Sequence, residues 1–213
     1  MLVKICGIKD AAALDAARQA GADMVGFVFF PPSPRAVTAI QAGGLARSYA
    51  DGPERVGLFV DPDDAMLAAT LAEVPLDILQ LHGEESPARA GEIRARFGKP
   101  VMKALGIASK ADLARLADYA DQVDYFLLDA RPPPGSALPG GNALAFDWAL
   151  MKGEDPPRPW LLAGGLTPAN VTEAIAASGA PGVDVSSGVE RARGIKDPAA
   201  IAAFIAAAKS VRA

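Results

Sequence analysis

The chemistry this chain can do turns on one thiol and one well-placed carboxyl. Cys6 is the only cysteine, and it ends the apolar run Leu2-Val3-Lys4-Ile5-Cys6 just before Gly7. A thiol at the end of a strand can act as a general base, and Lys4 on the same strand face would favour the thiolate. A free cysteine is also a common buried apolar residue. Asp129 ends a second apolar run, Tyr125-Phe126-Leu127-Leu128. A carboxyl among such neighbours suits a proton donor, and equally a helix cap or an ion-pair partner. Arg35 sits in the proline-stiffened loop Phe30-Pro31-Pro32-Ser33-Pro34-Arg35. Its planar fork matches a carboxylate, although a solvated charge is the other reading. His82, in Gln80-Leu81-His82-Gly83, can orient a substrate or be a satisfied interior histidine.

Two glycine-rich stretches lie late in the chain. One reads Leu162-Ala163-Gly164-Gly165-Leu166-Thr167-Pro168 and the other Val183-Asp184-Val185-Ser186-Ser187-Gly188-Val189-Glu190. Thr167 is placed to cap a helix opened by Pro168, which would turn backbone N–H groups towards an anion. Each stretch alone can be a tight turn. Together, after a seventh and an eighth strand, they match the phosphate site of a parallel αβ barrel.

The elements that must position these groups alternate along the chain. Short apolar runs at 2–6, 24–30, 55–60, 76–81, 100–105, 124–129, 160–163 and 182–186 are separated by stretches of helical spacing. Ala13, Leu14 and Ala17 mark one helix face, with Gly21 at its C-cap. Asp197 and Pro198 open a last helix with an apolar stripe of Ile201, Phe204, Ile205 and Ala208. Eight such units predict an α/β fold, a (β/α)₈ TIM barrel forming a single domain over 1–213. Side chains alternate along a strand, so Lys4 with Cys6, Gln80 with His82, and Asp184 with Ser186 are expected inside the barrel. Leu79 and Leu81 are expected outside. The proline- and glycine-rich stretches 131–142 and 153–159 read as loops, the first as a lid over the catalytic rim.

The chain has 213 residues, 51% hydrophobic and 22% charged, with a net charge of −4. No basic run suits nucleic acid, no apolar run is long enough for a membrane span, and no secretory segment opens the chain. One cysteine forms no internal disulfide, which fits a cytoplasmic location. One histidine and one cysteine make a Cys/His metal site improbable. Neither a Rossmann nor a Walker motif is present. An anionic substrate must then be gripped by local groups. The phosphate cradle alone would also suit another phosphosugar enzyme, or a barrel that binds a phosphorylated metabolite without turnover.

Taken in order, the segments Lys4-Ile5-Cys6-Gly7-Ile8, Ser33-Pro34-Arg35, Val56-Gly57-Leu58-Phe59-Val60, Gln80-Leu81-His82-Gly83, Leu127-Leu128-Asp129, Phe146-Asp147-Trp148, Leu162 to Leu166 and Asp184 to Glu190 resemble phosphoribosylanthranilate isomerases. The resemblance spans nearly the whole chain. It implies a (β/α)₈ barrel that converts N-(5'-phosphoribosyl)anthranilate to 1-(2-carboxyphenylamino)-1-deoxyribulose 5-phosphate, the third step of tryptophan biosynthesis from chorismate, with no cofactor and no metal. It implies Cys6 as general base and Asp129 as general acid. Arg35 would hold the anthranilate carboxylate, with Gln80, His82 and Asp184 also lining the substrate pocket. Gly164, Gly165, Leu166, Ser186, Ser187 and Gly188 would bind phosphate. The expected partner is a small phosphoribosyl compound, and the state a monomer or homodimer. One departure is visible: where the family carries Gly-Gly-Thr-Gly, this chain reads Gly140-Gly141-Asn142-Ala143. A residue with a Cβ at 143 is expected to alter that loop.

Overall fold

The computed structural model describes residues 1–49, 51–131 and 147–211. Eight parallel strands close into a barrel in sequence order: β1 Leu2–Cys6, β2 Met24–Val28, β3 Glu54–Phe59, β4 Ile78–Leu81, β5 Val101–Ile107, β6 Tyr125–Ala130, β7 Trp160–Leu162 and β8 Gly182–Val185. The ring closes where β1 pairs with β8, Leu2 beside Gly182 through Ile5 beside Val185. A two-stranded antiparallel hairpin, β9 Glu190–Ala192 and β10 Ile195–Lys196, follows β8 and was not anticipated.

The helices are α1 Ala11–Ala20, α2 Ala39–Arg47, α3 Asp64–Glu73, α4 Pro87–Phe97, α5 Lys110–Leu113, α6 Leu116–Tyr119, α7 Val171–Ser178 and α8 Pro198–Ser210. Gly21 and Asp197 end and start their helices as expected, while the cap Asp10 was not singled out by the sequence. Asp10 caps α1 through the Ala13 N–H, and Gly21 ends it in the left-handed region at φ 84°. Asp197 caps α8, and Ile201, Phe204, Ile205 and Ala208 are its buried stripe. Between β5 and β6 the helical segment breaks into the short α5 and α6. Between β6 and β7 the described residues hold only a 3₁₀ turn, Trp148–Met151. Residues 153–159 form a loop, as expected. The lid expected at 131–142 and the altered turn at Ala143 fall, beyond Arg131, outside the described residues.

The core has two layers. Val3, Ile5, Val25, Phe27, Leu79, Leu81, Val183 and Val185 pack outward against the helices. Met24, Val56, Ile78, Met102, Leu127 and Leu161 fill the barrel interior. Strand alternation therefore sends the polar residues two positions further on, near the C-terminal strand ends, into the same interior.

Candidate active site

On one side of the mouth, Lys4 and Cys6 point inward because Val3 and Ile5 point out. Lys4 is fully buried and donates to Asp184 Oδ1 at 2.8 Å. Cys6 packs against Val28 and Leu58. Space for its sulfur comes from Gly26 on the neighbouring strand, where a Cβ would stand 2.9 Å from Sγ. The turn after β1 needs Gly7, at φ 81°, and a Cβ there would meet Arg35 Cδ at 2.9 Å. The loop carrying Arg35 is fixed by turns, Ser33 N–H to Phe30 O at 2.9 Å and Val37 N–H to Val28 O at 3.0 Å. Arg35 is the group expected to hold a substrate carboxylate. Its Nε and Nη2 donate to Glu190 Oε1 and Oε2 at 2.6 and 3.1 Å.

Glu190 ties several groups together. It accepts from the Gly194 N–H at 3.0 Å and from Lys196 Nζ at 3.1 Å. Lys196 also donates to the carbonyl and hydroxyl of Ser186, at 2.8 and 3.2 Å, and the Ser186 hydroxyl donates to the Cys6 carbonyl at 3.1 Å. Burial pushes the Cys6 thiol above its ordinary value; Lys4, Lys196 and Arg35 oppose this, while Asp184 reinforces it. Burial also works against the Lys4 ammonium, but Asp184 and the thiol outweigh it and leave Lys4 raised. For Lys196 burial wins, and its ammonium is lowered despite Glu190. Burial would raise Glu190, yet hydrogen bonds from Arg35, the charge of Lys196 and the Gly194 N–H bring its carboxyl down to about 2.

Across the mouth the arrangement is sparser. Ile78 lies inside the barrel, so Gln80 and His82 share its face. Gln80 is fully buried. Its Nε2 lies 2.9 Å from His82 Nδ1. With the amide donating, Nδ1 accepts and the ring proton sits on Nε2, which faces Asp129 Oδ2 at 3.5 Å. Asp129 Oδ1 accepts from the Ala130 N–H at 2.8 Å. Gln80 Oε1 and His82 Nε2 are buried without a hydrogen-bond partner among the described residues. His82, Ala104, Gly106, Arg115 and Asp129 line a cleft.

The glycine cradle joins the two sides. Gly164 and Gly165 both have positive φ, 86° and 64°, a conformation that residues with a Cβ rarely adopt. Asn170 fastens this loop: its Oδ1 accepts from the Thr167 N–H at 2.7 Å and its Nδ2 donates to the Gly165 carbonyl at 3.0 Å. The expected cap, Thr167, is thereby displaced. Residues 167–170 form a turn, and α7 starts after Asn170. Ser187 and Gly188 belong to a 3₁₀ turn, Ser187–Val189. Gly188 lies directly against the Leu166 carbonyl, so no larger residue fits where the loops after β7 and β8 meet.

With this geometry in view, the likenesses to known proteins are informative. Residues 3–207 match the family model for N-(5'phosphoribosyl)anthranilate (PRA) isomerase. The N-(5'-phosphoribosyl)anthranilate isomerase of Paracoccus denitrificans is 60% identical over 97% of this chain and 96% of its own length. The chain belongs to this isomerase family. The fold agrees. A crystal structure of the phosphoribosyl anthranilate isomerase from Thermotoga maritima superposes with a TM-score of 0.88, at 36% identity over 99% of this chain and 100% of that one. Another structure of a phosphoribosyl anthranilate isomerase, in complex with reduced 1-(o-carboxyphenylamino)-1-deoxyribulose 5-phosphate, gives a TM-score of 0.85 at 35% identity, over 99% of this chain and all of that one.

As a member of the isomerase family, the chain carries near its mouth two residues that sequence spacing did not single out. Glu190 and Lys196 are brought to Arg35 and Ser186 by a hairpin of three- and two-residue strands. Strands that short leave no period to read. The one available signal was a lysine directly before the Asp197-Pro198 helix start. No described helix is long and apolar enough to cross a membrane.

Proposed function

We propose that Cys6 and Asp129 are the base and acid of the isomerase reaction in this chain. The supporting observation is their placement: both lie inward at strand ends of one barrel mouth, and in the closed ring the cradle strands β7 and β8 lie between β6 and β1. A substrate whose phosphate rests in the cradle then has acid on one side and base on the other. The substrate is N-(5'-phosphoribosyl)anthranilate and the product 1-(2-carboxyphenylamino)-1-deoxyribulose 5-phosphate, a step of tryptophan biosynthesis.

Asp129, in its protonated form, gives its proton to the furanose ring oxygen. The C1′–O bond breaks, leaving a hydroxyl at C4′ and a Schiff base between C1′ and the anthranilate nitrogen. The Cys6 thiolate removes the C2′ proton, and the electron pair moves to form an enolamine. That species becomes the amino-ketose as its C2′ hydroxyl proton returns to the Asp129 carboxylate and the Cys6 thiol gives its proton to C1′, which restores both groups. No atom is added or lost overall. Lys4 favours the thiolate by its charge, and Asp184 holds Lys4. Gln80 sets the His82 ring, and His82 steadies the Asp129 carboxylate after it has given up its proton. Arg35 keeps Nη1 for the anthranilate carboxylate. Backbone N–H groups of Gly164 to Leu166 and Ser186 to Gly188 hold the phosphate. One domain over 1–213 working in the cytoplasm suits a chain with a single cysteine and no paired thiol.

The substrate is fluorescent, and its signal falls as it is consumed. Pure protein should extinguish it; undiminished fluorescence with folded protein overturns the proposal.

A further inference from the structure

The charged groups gathered around the end of β1 do not balance. Three cations, Lys4, Arg35 and Lys196, stand with two carboxylates, Asp184 and Glu190, all in contact pairs and almost wholly shielded from water. Two of the cations, Arg35 and Lys196, share Glu190 Oε1. Lys196 has a fully buried side chain and three acceptors: the Ser186 carbonyl, the Ser186 hydroxyl and Glu190. Three acceptors around one nitrogen use all three protons of an ammonium. The same Ser186 hydroxyl reaches the Cys6 carbonyl. Lys196 itself takes no part in the proton transfers between Asp129, Cys6 and the substrate.

We propose that Lys196 is a positioning residue of the reaction: seated on Ser186 and Glu190, it holds one uncompensated positive charge beside the Cys6 thiol, and by sharing Glu190 it leaves Arg35 with charge to offer the substrate. The surplus charge is complemented by a thiolate, or by the anionic substrate when that binds. The charged groups whose fields bear on the thiol are Lys4 from β1, Asp184 from β8, Arg35 from the loop after β2 and Lys196 from β10. The neighbouring strands β2 and β3 present Gly26, Val28 and Leu58, which carry no charge. Of the four, Lys196 alone comes from the hairpin. The balance of forces on the thiol agrees, since Lys196 opposes the effect of burial.

The inference rests on Cys6 being the base, and the test is chosen to separate the two. Cys6 is the sole cysteine, so the ultraviolet absorbance of its thiolate, read against Cys6→Ser, titrates it with no substrate present. In Lys196→Met the cluster becomes neutral. The thiol should titrate about one pH unit higher, and the rising limb of kcat/KM against pH should move with it, lowering kcat/KM near neutrality by about tenfold. In the double variant Lys196→Met with Glu190→Gln the surplus charge returns, and the titration should move back towards wild type. A residue needed only for packing would make the double variant no better than the single one. A folded Lys196→Met whose thiol titrates as wild type overturns the proposal, as does a double variant displaced further upward. Lys196→Gln is the second neutral variant; if neither neutral variant folds, the ammonium is a requirement of folding and the proposal falls. An active Cys6→Ala enzyme would remove the base assignment instead, and would be seen in turnover while the thiolate titration of the wild type stood.

Discussion

The two sides of the barrel mouth are built on opposite plans. On the β1–β8 side, charged groups are closed on one another: Lys4 with Asp184, Arg35 and Lys196 with Glu190, and Lys196 with Ser186. On the β4–β6 side, Gln80 Oε1 and His82 Nε2 are buried without partners among the described residues, and His82 stands 3.5 Å from Asp129. A base must stay ionisable inside an apolar wall, which calls for a rigid set of nearby charges. An acid must hand over its proton and take it back, so its surroundings must change partners during the reaction. The difference is one of satisfaction: the charges of one side are paired within the fold, while the other side keeps polar atoms free for a ligand.

Replacing the reacting groups is the severest way to break this comparison. Cys6→Ala and Asp129→Asn should each lower turnover by 10²–10⁴-fold, about the worth of a positioned acid or base, while calorimetry still shows binding of a reduced product analogue. A near-normal rate in either variant removes that side's role. Next, Gln80→Leu takes away the donor that sets the His82 ring. A fall of about tenfold in kcat with little change in KM would place its effect in the transition state; an unchanged kcat would show that the acid side needs no such support.

The closed side can be probed through acid stability. The Glu190 carboxyl is held at about 2, below its ordinary value of 4.5. A depressed carboxyl stabilises the fold above its unfolded pKa, and that contribution is lost as pH falls from about 4.5 towards 2. Discounted for screening, the loss is roughly 1–2 kcal/mol. Urea unfolding of Glu190→Gln should lack this part of the pH dependence, and a curve parallel to wild type refutes it. The mildest change is Gly26→Ala, whose methyl crowds the Cys6 sulfur. A several-fold drop in kcat with about 1–3 kcal/mol of destabilisation is expected; wild-type kinetics would show that the thiol has room to shift.

Local rules carried the fold. Asp10, Gly21 and Asp197 end helices where their side chains or conformations dictate, and strand alternation put Lys4, Cys6, Gln80, His82 and Asp184 inside. What escaped has a common cause. Arg35 and Glu190 are 155 positions apart, and no local period encodes such a pair. Thr167 looked like a cap because Pro168 follows it, yet Asn170 binds both Thr167 and Gly165, and that local competition moved the helix start.

The seam between the first and last strands has a consequence for how the protein is made. Lys4 and Asp184 are 180 residues apart, as are Cys6 and Ser186. β1 therefore lacks these partners until 180 further residues have been made. A chain stalled or cut before residue 184 would hold Lys4 and Cys6 without the carboxylate and hydroxyl that meet them. The ring must close before these pairs can form, and activity reports that it has.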